Sequence, residues 1–427
     1  MLHAMFMLVG DQTIPNLMPF LQLHIQTIAT FTGLDHLYRV VLVTTTDHRI
    51  KPNAAKIRDF LLAYFPGELN SAHIQEIEVD SLNLAGILEV CRHEVERLRQ
   101  EAAELEQPLE LIFNMNGGTK IMSLATYPLA LENSPDAQII YLDSHTNQIL
   151  RLLPPAPPWS LRVALTVPQY LQAHGYILTT QELYVGQSQI SDLARSSRAA
   201  QILGQTAYET VQELRRMWLV RGKGEAGLTL PEGQDEAQLQ TVLNLVKALD
   251  GYLWQIYTDQ ATPTLLARLR NGEATYQAGP FATIKLALLN EPQFFPGGKW
   301  LEQYVFDSLQ SLLLPQAGQE VKIRDVMAGL KVKQSSTSKI NNEIDVAFTW
   351  GQHLALCSCK AGRSAESNWI YDLNDRARTL GAFCHKVLIC SSAPSVDFVE
   401  RAERDKIQLI RGCDLPQITQ HLATLVR

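Results

Sequence analysis

The chain has 427 residues, 46% of them apolar and 19% charged, with a formal net charge of -7 at pH 7. That composition excludes a disordered chain, and at the usual ~100 to 200 residues per domain it implies two or three folded units. The acidic balance excludes a constitutive nucleic-acid coat, because nonspecific affinity comes from Lys and Arg neutralising phosphates, so any such contact is local or switched on.

The chain opens with MLHAMFMLVG, which has no basic lead or cleavage-like site. No later apolar run reaches the ~20 residues that span a bilayer. The expectation is a buried first strand in a cytoplasmic protein with no membrane partner. To about residue 150, short apolar runs alternate with helical ones: Phe6–Val9, Leu17–Phe31, Val40–Thr44, Ala54–Phe65, Ile74–Val79, Leu84–Leu98, Leu109–Phe113, Ile121–Leu131 and Ala137–Tyr141. This order predicts βαβ units on a parallel sheet. The proline-rich LPPAPPW at 153–159 then breaks the pattern, and a boundary is expected there. Residues 160–285 read as mostly helical, with Ser191–Val220 and Glu236–Tyr257 as the longest periodic segments. A third texture starts near Pro296: a helix over Trp300–Leu314, strands, a polar loop KVKQSSTSK, a hairpin and a closing αβ region. The expected division is 1–152, 153–285 and 286–427.

Open α/β sheets bind ligands at the carboxyl ends of their strands. Three such loops carry the informative residues: Gly10, Asp11 and Gln12 after the first strand, Thr44, Thr45 and Thr46 after the second, and the run Asn114, Met115, Asn116, Gly117, Gly118, Thr119, Lys120 after the fourth. In the last, two glycines let backbone approach a ligand, amides at the start of the next helix point outward, and Lys120 adds a cation. That chemistry suits phosphate. A plain Gly-Gly turn with a solvated Lys120 is the structural alternative. A dinucleotide fold would carry G-x-G-x-x-G after its first strand and a nucleoside triphosphatase G-x-x-x-x-G-K-[ST]; the first strand is followed by GDQTIP instead and the second pattern is not found, which argues against both.

In EIDVAFTWGQHLALCSCK, strand alternation puts Glu343, Asp345, Ala347 and Thr349 on one face and Ile344, Val346, Phe348 and Trp350 on the other. A two-residue turn at Gly351–Gln352 pairs Trp350 with His353. The same register sets Ser358 opposite Asp345 and Lys360 opposite Glu343, with Cys357 and Cys359 joining Val346 and Ile344 on the apolar face. Two carboxylates and a lysine gathered there suit a divalent metal and a cation that steadies the attacking water or the developing charge. A solvated sheet face is the alternative. Upstream, apolar residues at 301, 305, 309 and 312 repeat with helical period, and Glu302 at the border of that stripe is in reach of the sheet. The alternating cysteines are expected as small core residues rather than zinc ligands, and all six cysteines as reduced thiols. Lys331, Lys333 and Lys339, with Arg363, Arg376 and Arg378, can hold a phosphate backbone as a set; singly, each is equally well a solvated charge.

The three N-terminal loops, with NMNGGTKIMS at their centre, resemble the CRISPR-associated Rossmann-fold (CARF) sensor domain over the first third of the chain. The order helix Glu, strand Asp, then x-x-Lys about fifteen residues on resembles the PD-(D/E)xK nuclease core from about Pro296. Together they resemble the cyclic-oligoadenylate-activated ancillary nucleases of type III CRISPR defence. The resemblance implies a Rossmann-like parallel-sheet CARF domain, a helical connector and a restriction-endonuclease-like α/β domain. It further implies a homodimer that binds a cyclic oligoadenylate, with cyclic tetra-adenylate the expected ring, and that cuts or nicks DNA, and RNA in some members, using Mn²⁺ or Mg²⁺. Carried over by position, Gly10, Asp11, Gln12, Asn114, Asn116, Gly117, Gly118, Thr119 and Lys120 hold the ligand, with Thr44 to Thr46 nearby. Asp345 is the central metal ligand, Glu302 a ligand directly or through water, and Lys360 the catalytic lysine. Ser358 departs from the pattern, standing where the family has Glu or Gln. Glu343 is the candidate replacement, with the backbone carbonyl of Cys359 completing the shell. The alternative function is a ligand-binding regulator whose nuclease-like domain has lost cleavage through Ser358.

Overall fold

The structure is a computed structural model describing residues 1–30, 37–181, 190–222, 225–229, 236–256, 283–289, 294–313, 323–333, 342–362, 364–381 and 383–426. Its first part runs β1 (Leu2–Leu8), α1 (Ile14–Thr30), β2 (Leu37–Thr45), α2 (Lys51–Tyr64), β3 (Ile74–Val79), α3 (Leu84–Glu104), β4 (Leu109–Asn114), α4 (Lys120–Glu132), β5 (Ala137–Asp143), β6 (Gln148–Leu153) and β7 (Ala156–Ser160). These strands form one sheet in the order β3-β2-β1-β4-β5-β6-β7. Pairing is parallel through β5 and antiparallel beyond it. Every residue of β1 is buried. Met5 and Met7 pack with α1 and α2, while Ala4, Phe6 and Leu8 pack with α3 and α4, so helices cover both faces and the strand reads as one apolar run.

LPPAPPW is not a break. It forms the end of β6 and most of β7, the edge strand of this sheet, where the outer side of the strand needs no donor and proline is tolerated. Arg151 lies over the ring of Trp159, 5.1 Å from its centroid, and covers that edge.

The middle part holds α5 (Val167–Ala173), β8 (Ile177–Gln181), α6 (Ile190–Gln205), α7 (Tyr208–Met217), β9 (Trp218–Gly222), β10 (Glu225–Thr229), α8 (Glu236–Ala248), β11 (Trp254–Ile256) and β12 (Thr283–Leu288). The predicted mostly helical connector therefore also carries a four-stranded sheet, β11-β12-β10-β9, all antiparallel. Trp218 and Trp254 end the two long helical periods. Their rings, 5.4 Å apart, gain more by packing on each other and on Phe295 than by continuing the helices.

The last part runs α9 (Lys299–Leu313), β13 (Asp325–Lys333), β14 (Asn342–Trp350), β15 (His353–Lys360), α10 (Ser367–Arg378), β16 (Cys384–Cys390), α11 (Val396–Arg404), β17 (Ile407–Ile410) and α12 (Ile418–Leu425). Its sheet order is β17-β16-β15-β14-β13-β8. The sixth strand comes from the middle part: β8 lies antiparallel on β13, with Leu330 opposite Gln181 and Lys333 opposite Ile177. Helix α9 covers one face with Trp300, Leu301, Tyr304, Val305 and Leu309, all buried. On the other face α10 and α11 contribute Trp369, Ile370, Leu373, Phe398 and Ala402 to a core continuous through α5 with that of the first domain.

Helix α5 and the residues just after it join the first sheet to the last domain. The Val167 amide donates to Asp325 Oδ2 at 2.8 Å, Tyr170 donates to the Leu380 carbonyl at 3.4 Å, and Tyr176 donates to Thr379 Oγ1 at 2.5 Å. Among the described residues, no helix is long and apolar enough to cross a membrane.

Candidate functional sites

The hairpin β14–β15 has the expected register near its turn: Trp350 pairs with His353, Phe348 with Ala355, and Val346 with Cys357. Beyond that pair the two strands part. The predicted facing of Lys360 and Glu343 is replaced by a different arrangement, because Asp345 Oδ2 takes the Cys359 amide at 2.7 Å in place of a backbone rung. The same oxygen accepts from Ser358 Oγ at 3.4 Å and lies 3.7 Å from Lys360 Nζ. Glu343 instead pairs across β13 with Lys331, and its carbonyl accepts from Arg376 Nη1 at 2.5 Å. Ile344 also departs from the expected face. It packs with Leu330 and Val332 in the core beneath α10, whereas Val346, Cys357 and Cys359 pack beneath α9. The strands turn here because Gly329, across from Asp345, has a positive φ of 62°.

The parting opens a cavity of about 290 Å³ whose walls include Glu302, Glu343, Asp345, Lys360, Trp369 and, from the middle part of the chain, Arg215. Three features bring Glu302 there. It sits in the first turn of α9, that helix is fixed by its buried stripe, and Gly298 just before it packs on Ala361 at the end of β15. A Cβ at Gly298 would come within 2.8 Å of the Ala361 side chain, and φ of 88° suits glycine alone, so the helix start can touch the strand end closely. Arg215, near the end of α7, donates to the Pro296 carbonyl at 2.6 Å. Arg215 lies in no motif, and nothing local in the sequence says that α7 reaches this cavity.

The carboxyl group of Glu302 is pushed up to about 8, first by burial and then by the charges of Asp345 and Glu343, with Lys299 and Lys360 opposing. A carboxyl raised by burial and by neighbouring negative charge marks a cluster of oxygen donors suited to a hard divalent cation, and Glu302, Asp345 and Glu343 fit one by donor chemistry. Among the described residues, however, no group of three or more His, Cys, Asp or Glu is already arranged around a common point. Cys357 and Cys359 are buried in the apolar layer beneath α9, and burial pushes their thiols up. Of the basic set, Lys331 and Lys333 lie on β13 and Arg376 and Arg378 on α10, whereas Lys339 and Arg363 fall outside the described residues.

At the other end, the loops after β1 and β4 touch through backbone. A Cβ on Gly10 would meet the Gly118 amide at 2.7 Å, and one on Gly117 would meet the Leu8 carbonyl at 2.3 Å. Gly117 and Gly118 have φ of 92° and 59°. Thr119 caps α4, accepting the Met122 amide at 3.2 Å, and Thr119 and Lys120 are exposed at the loop's rim with Asp11 and Thr46. Asn114 and Asn116, by contrast, face inward. Asn114 donates to the Pro15 carbonyl at 3.1 Å and accepts the Asn116 amide at the same distance, while Asn116 donates to the Leu142 carbonyl at 2.9 Å and accepts its amide at 2.5 Å. Thr44 and Thr45 are buried too. Gln12 reaches toward the last domain instead, so close over Gly381 that a Cβ there would lie 2.0 Å from its Oε1.

Two family profiles match the chain: the Card1 CARF domain over residues 5–170, and the Card1-like endonuclease domain over residues 290–427. No curated protein matches it. Among solved structures, protein VC1899 from Vibrio cholerae superposes with a TM-score of 0.71 at 16% identity, over 100% of this chain and 97% of that one. Can2 from Sulfobacillus thermosulfidooxidans, solved in complex with cyclic tetra-adenylate (cA4), superposes with a TM-score of 0.62 at 19% identity, over 100% and 99%. At those identities the likeness is one of fold.

Proposed function

From the premise that the chain belongs to the Card1-like proteins, a CARF domain followed by an endonuclease domain, we propose a nuclease switched on by a cyclic oligoadenylate in type III CRISPR antiviral defence. The observation that carries this reading is the cavity where Glu302, Asp345 and Lys360 converge at the parted end of the hairpin. Cyclic tetra-adenylate is the proposed activator, the ring bound by Can2, and DNA or RNA the substrate. Asp345, Glu302 and Glu343, with the Cys359 carbonyl, would hold Mn²⁺ or Mg²⁺. Such an ion supplies charge neutralisation and an acidified water.

The chain's own groups do the rest. Cys359 and Ser358 hold Asp345 Oδ2 by hydrogen bonds and so fix the carboxylate at the cavity wall. Lys360 stands where its ammonium can meet negative charge developing on the phosphate. The Gly10 and Gly117–Gly118 backbone, with Lys120 at the rim, would seat the activator's phosphates. A homodimer is proposed from α4, whose Leu124, Tyr127 and Leu131 form an exposed apolar row at helical spacing beside exposed Leu82 and Leu84.

Incubation with plasmid, single-stranded DNA and RNA, each with and without cyclic tetra-adenylate and Mn²⁺, tests the reading. Cleavage is expected only with both. Activator binding with no cleavage under any metal would favour the regulator, for which Ser358 speaks, and absence of binding would end the sensor reading. Glu343→Gln is the companion measurement. A metal titration unchanged from wild type would remove Glu343 from the ligand set.

A further inference from the structure

We propose that Arg215 is a substrate-contacting residue of the nuclease site, supplied by the middle part of the chain to hold the phosphate being cleaved. The inference rests on the nuclease reading above and names a residue outside the endonuclease profile, which begins at residue 290.

Position is the first argument. Arg215 lines the same cavity as Glu302, Asp345, Glu343 and Lys360, although it lies 87 residues before Glu302 and belongs to a separate helix. The helix is held in place from both sides of that residue. One turn earlier, Gln212 Nε2 donates to the Ser391 carbonyl at 2.9 Å, to Ser391 Oγ at 3.1 Å and to the carbonyl of Gly362, a residue of the cavity wall, at 3.5 Å. The next residue, Arg216, pairs with the buried Glu213 at 2.7 Å within the helix. Arg215 is thus the basic residue of α7 that is turned toward the cavity, and one nitrogen of its guanidinium is anchored on the Pro296 carbonyl just ahead of α9. An anchored guanidinium loses little freedom when it takes a phosphate oxygen.

Charge is the second argument. The cavity gathers three carboxylates against two cations, Lys360 and Arg215. Arg215 adds a positive charge to the cavity wall, and that charge favours an anionic phosphodiester there. Planar, two-pronged recognition of phosphate is the work arginine does better than lysine.

The test compares wild type, Arg215→Ala, Arg215→Lys and, as a control outside the site, Arg216→Ala in the full-length protein with cyclic tetra-adenylate and Mn²⁺. Under single-turnover conditions Arg215→Ala is expected to slow cleavage of a labelled single-stranded oligonucleotide by ~10²- to 10³-fold, the cost of removing one donor to developing charge. The Mn²⁺ midpoint should stay unchanged, the thermal midpoint should fall by no more than the lost bond to the Pro296 carbonyl accounts for, Arg215→Lys should recover part of the rate, and Arg216→Ala should match wild type. Cleavage by Arg215→Ala within threefold of wild type would overturn the proposal. So would full recovery by lysine, or a rate loss that added Mn²⁺ reverses. Should Arg215→Ala fold poorly, Arg215→Lys decides, since a phosphate contact predicts its rate falls while its melting does not. If wild type cleaves nothing, the nuclease reading fails separately, and binding of the same oligonucleotide in Ca²⁺ decides here. A salt-dependence slope lower by about one in Arg215→Ala supports the contact, and equal slopes exclude it.

Discussion

The two candidate sites are built in opposite ways. The loops of the first domain present backbone: Gly10, Gly117 and Gly118 approach each other within a few ångströms, while Asn114 and Asn116 of the same loop are spent on holding it. The cavity of the last domain presents side chains, drawn from α7, α9, β14 and β15. A backbone site depends on conformation and can be written in one short run of sequence. A side-chain site depends on packing between distant elements, and its members can lie far apart in the chain.

The contrast can be broken most sharply at Asp345. Asp345→Asn is expected to lower cleavage by ~10³-fold or more while leaving activator affinity unchanged; a matching loss of affinity would mean that the two sites are not separately built. Gly117→Val attacks the other construction. Its side chain would collide with the Leu8 carbonyl at a φ that strains any L-residue, so calorimetry should show activator binding reduced by at least tenfold and stability lower by about 1 to 3 kcal/mol. Valine tolerated there without loss would show that backbone shape does not make the site.

A smaller effect concerns the join between the sites. His174 follows α5 and lies 3.3 Å from where a Cβ on Gly381 would stand. Burial, with Lys56 nearby, lowers its imidazole to about 4 against the bond it makes to the Tyr170 carbonyl. Between that value and the ordinary 6.5 the unfolded chain binds a proton that the folded one refuses, so stability falls as pH drops through this window, by about 3 kcal/mol at the low end. The wild-type melting temperature should therefore decline from pH 6.5 to 4 more steeply than that of His174→Gln; parallel curves would refute the assignment. The mildest expected change is Lys120→Ala, exposed at the loop rim: activator affinity about tenfold weaker, from one lost charge-assisted bond, with melting unaltered.

Much of this was legible in the sequence because the signals were local. The buried alternation of β1 to β5, the glycine pair before α4, and the Trp350–His353 register all follow from period and turn chemistry within a few residues. Asp345, Lys360 and Glu302 could be named because a strand, a strand end and a helix stripe each carry their own pattern. Arg215 could not, since its place depends on how α7 docks against Ser391 and Gly362. The parting of β14 from β15 was equally hidden: a carboxylate that substitutes for a ladder acceptor leaves no mark on alternation. LPPAPPW misled because proline marks a linker in most contexts and an edge strand in a few.

Strand β8 has a bearing on how such proteins exchange parts. It precedes the endonuclease profile by more than a hundred residues yet forms the outermost strand of that domain's sheet. A recombination event that moved residues 286–427 as a cassette onto another sensor would leave β13 with an unpaired edge, a template for aggregation. The cassette that keeps its own edge begins before Ile177, and it carries α7 with it. Domain shuffling in this architecture is therefore expected to cut upstream of β8, so that the connector travels with the nuclease rather than with the sensor.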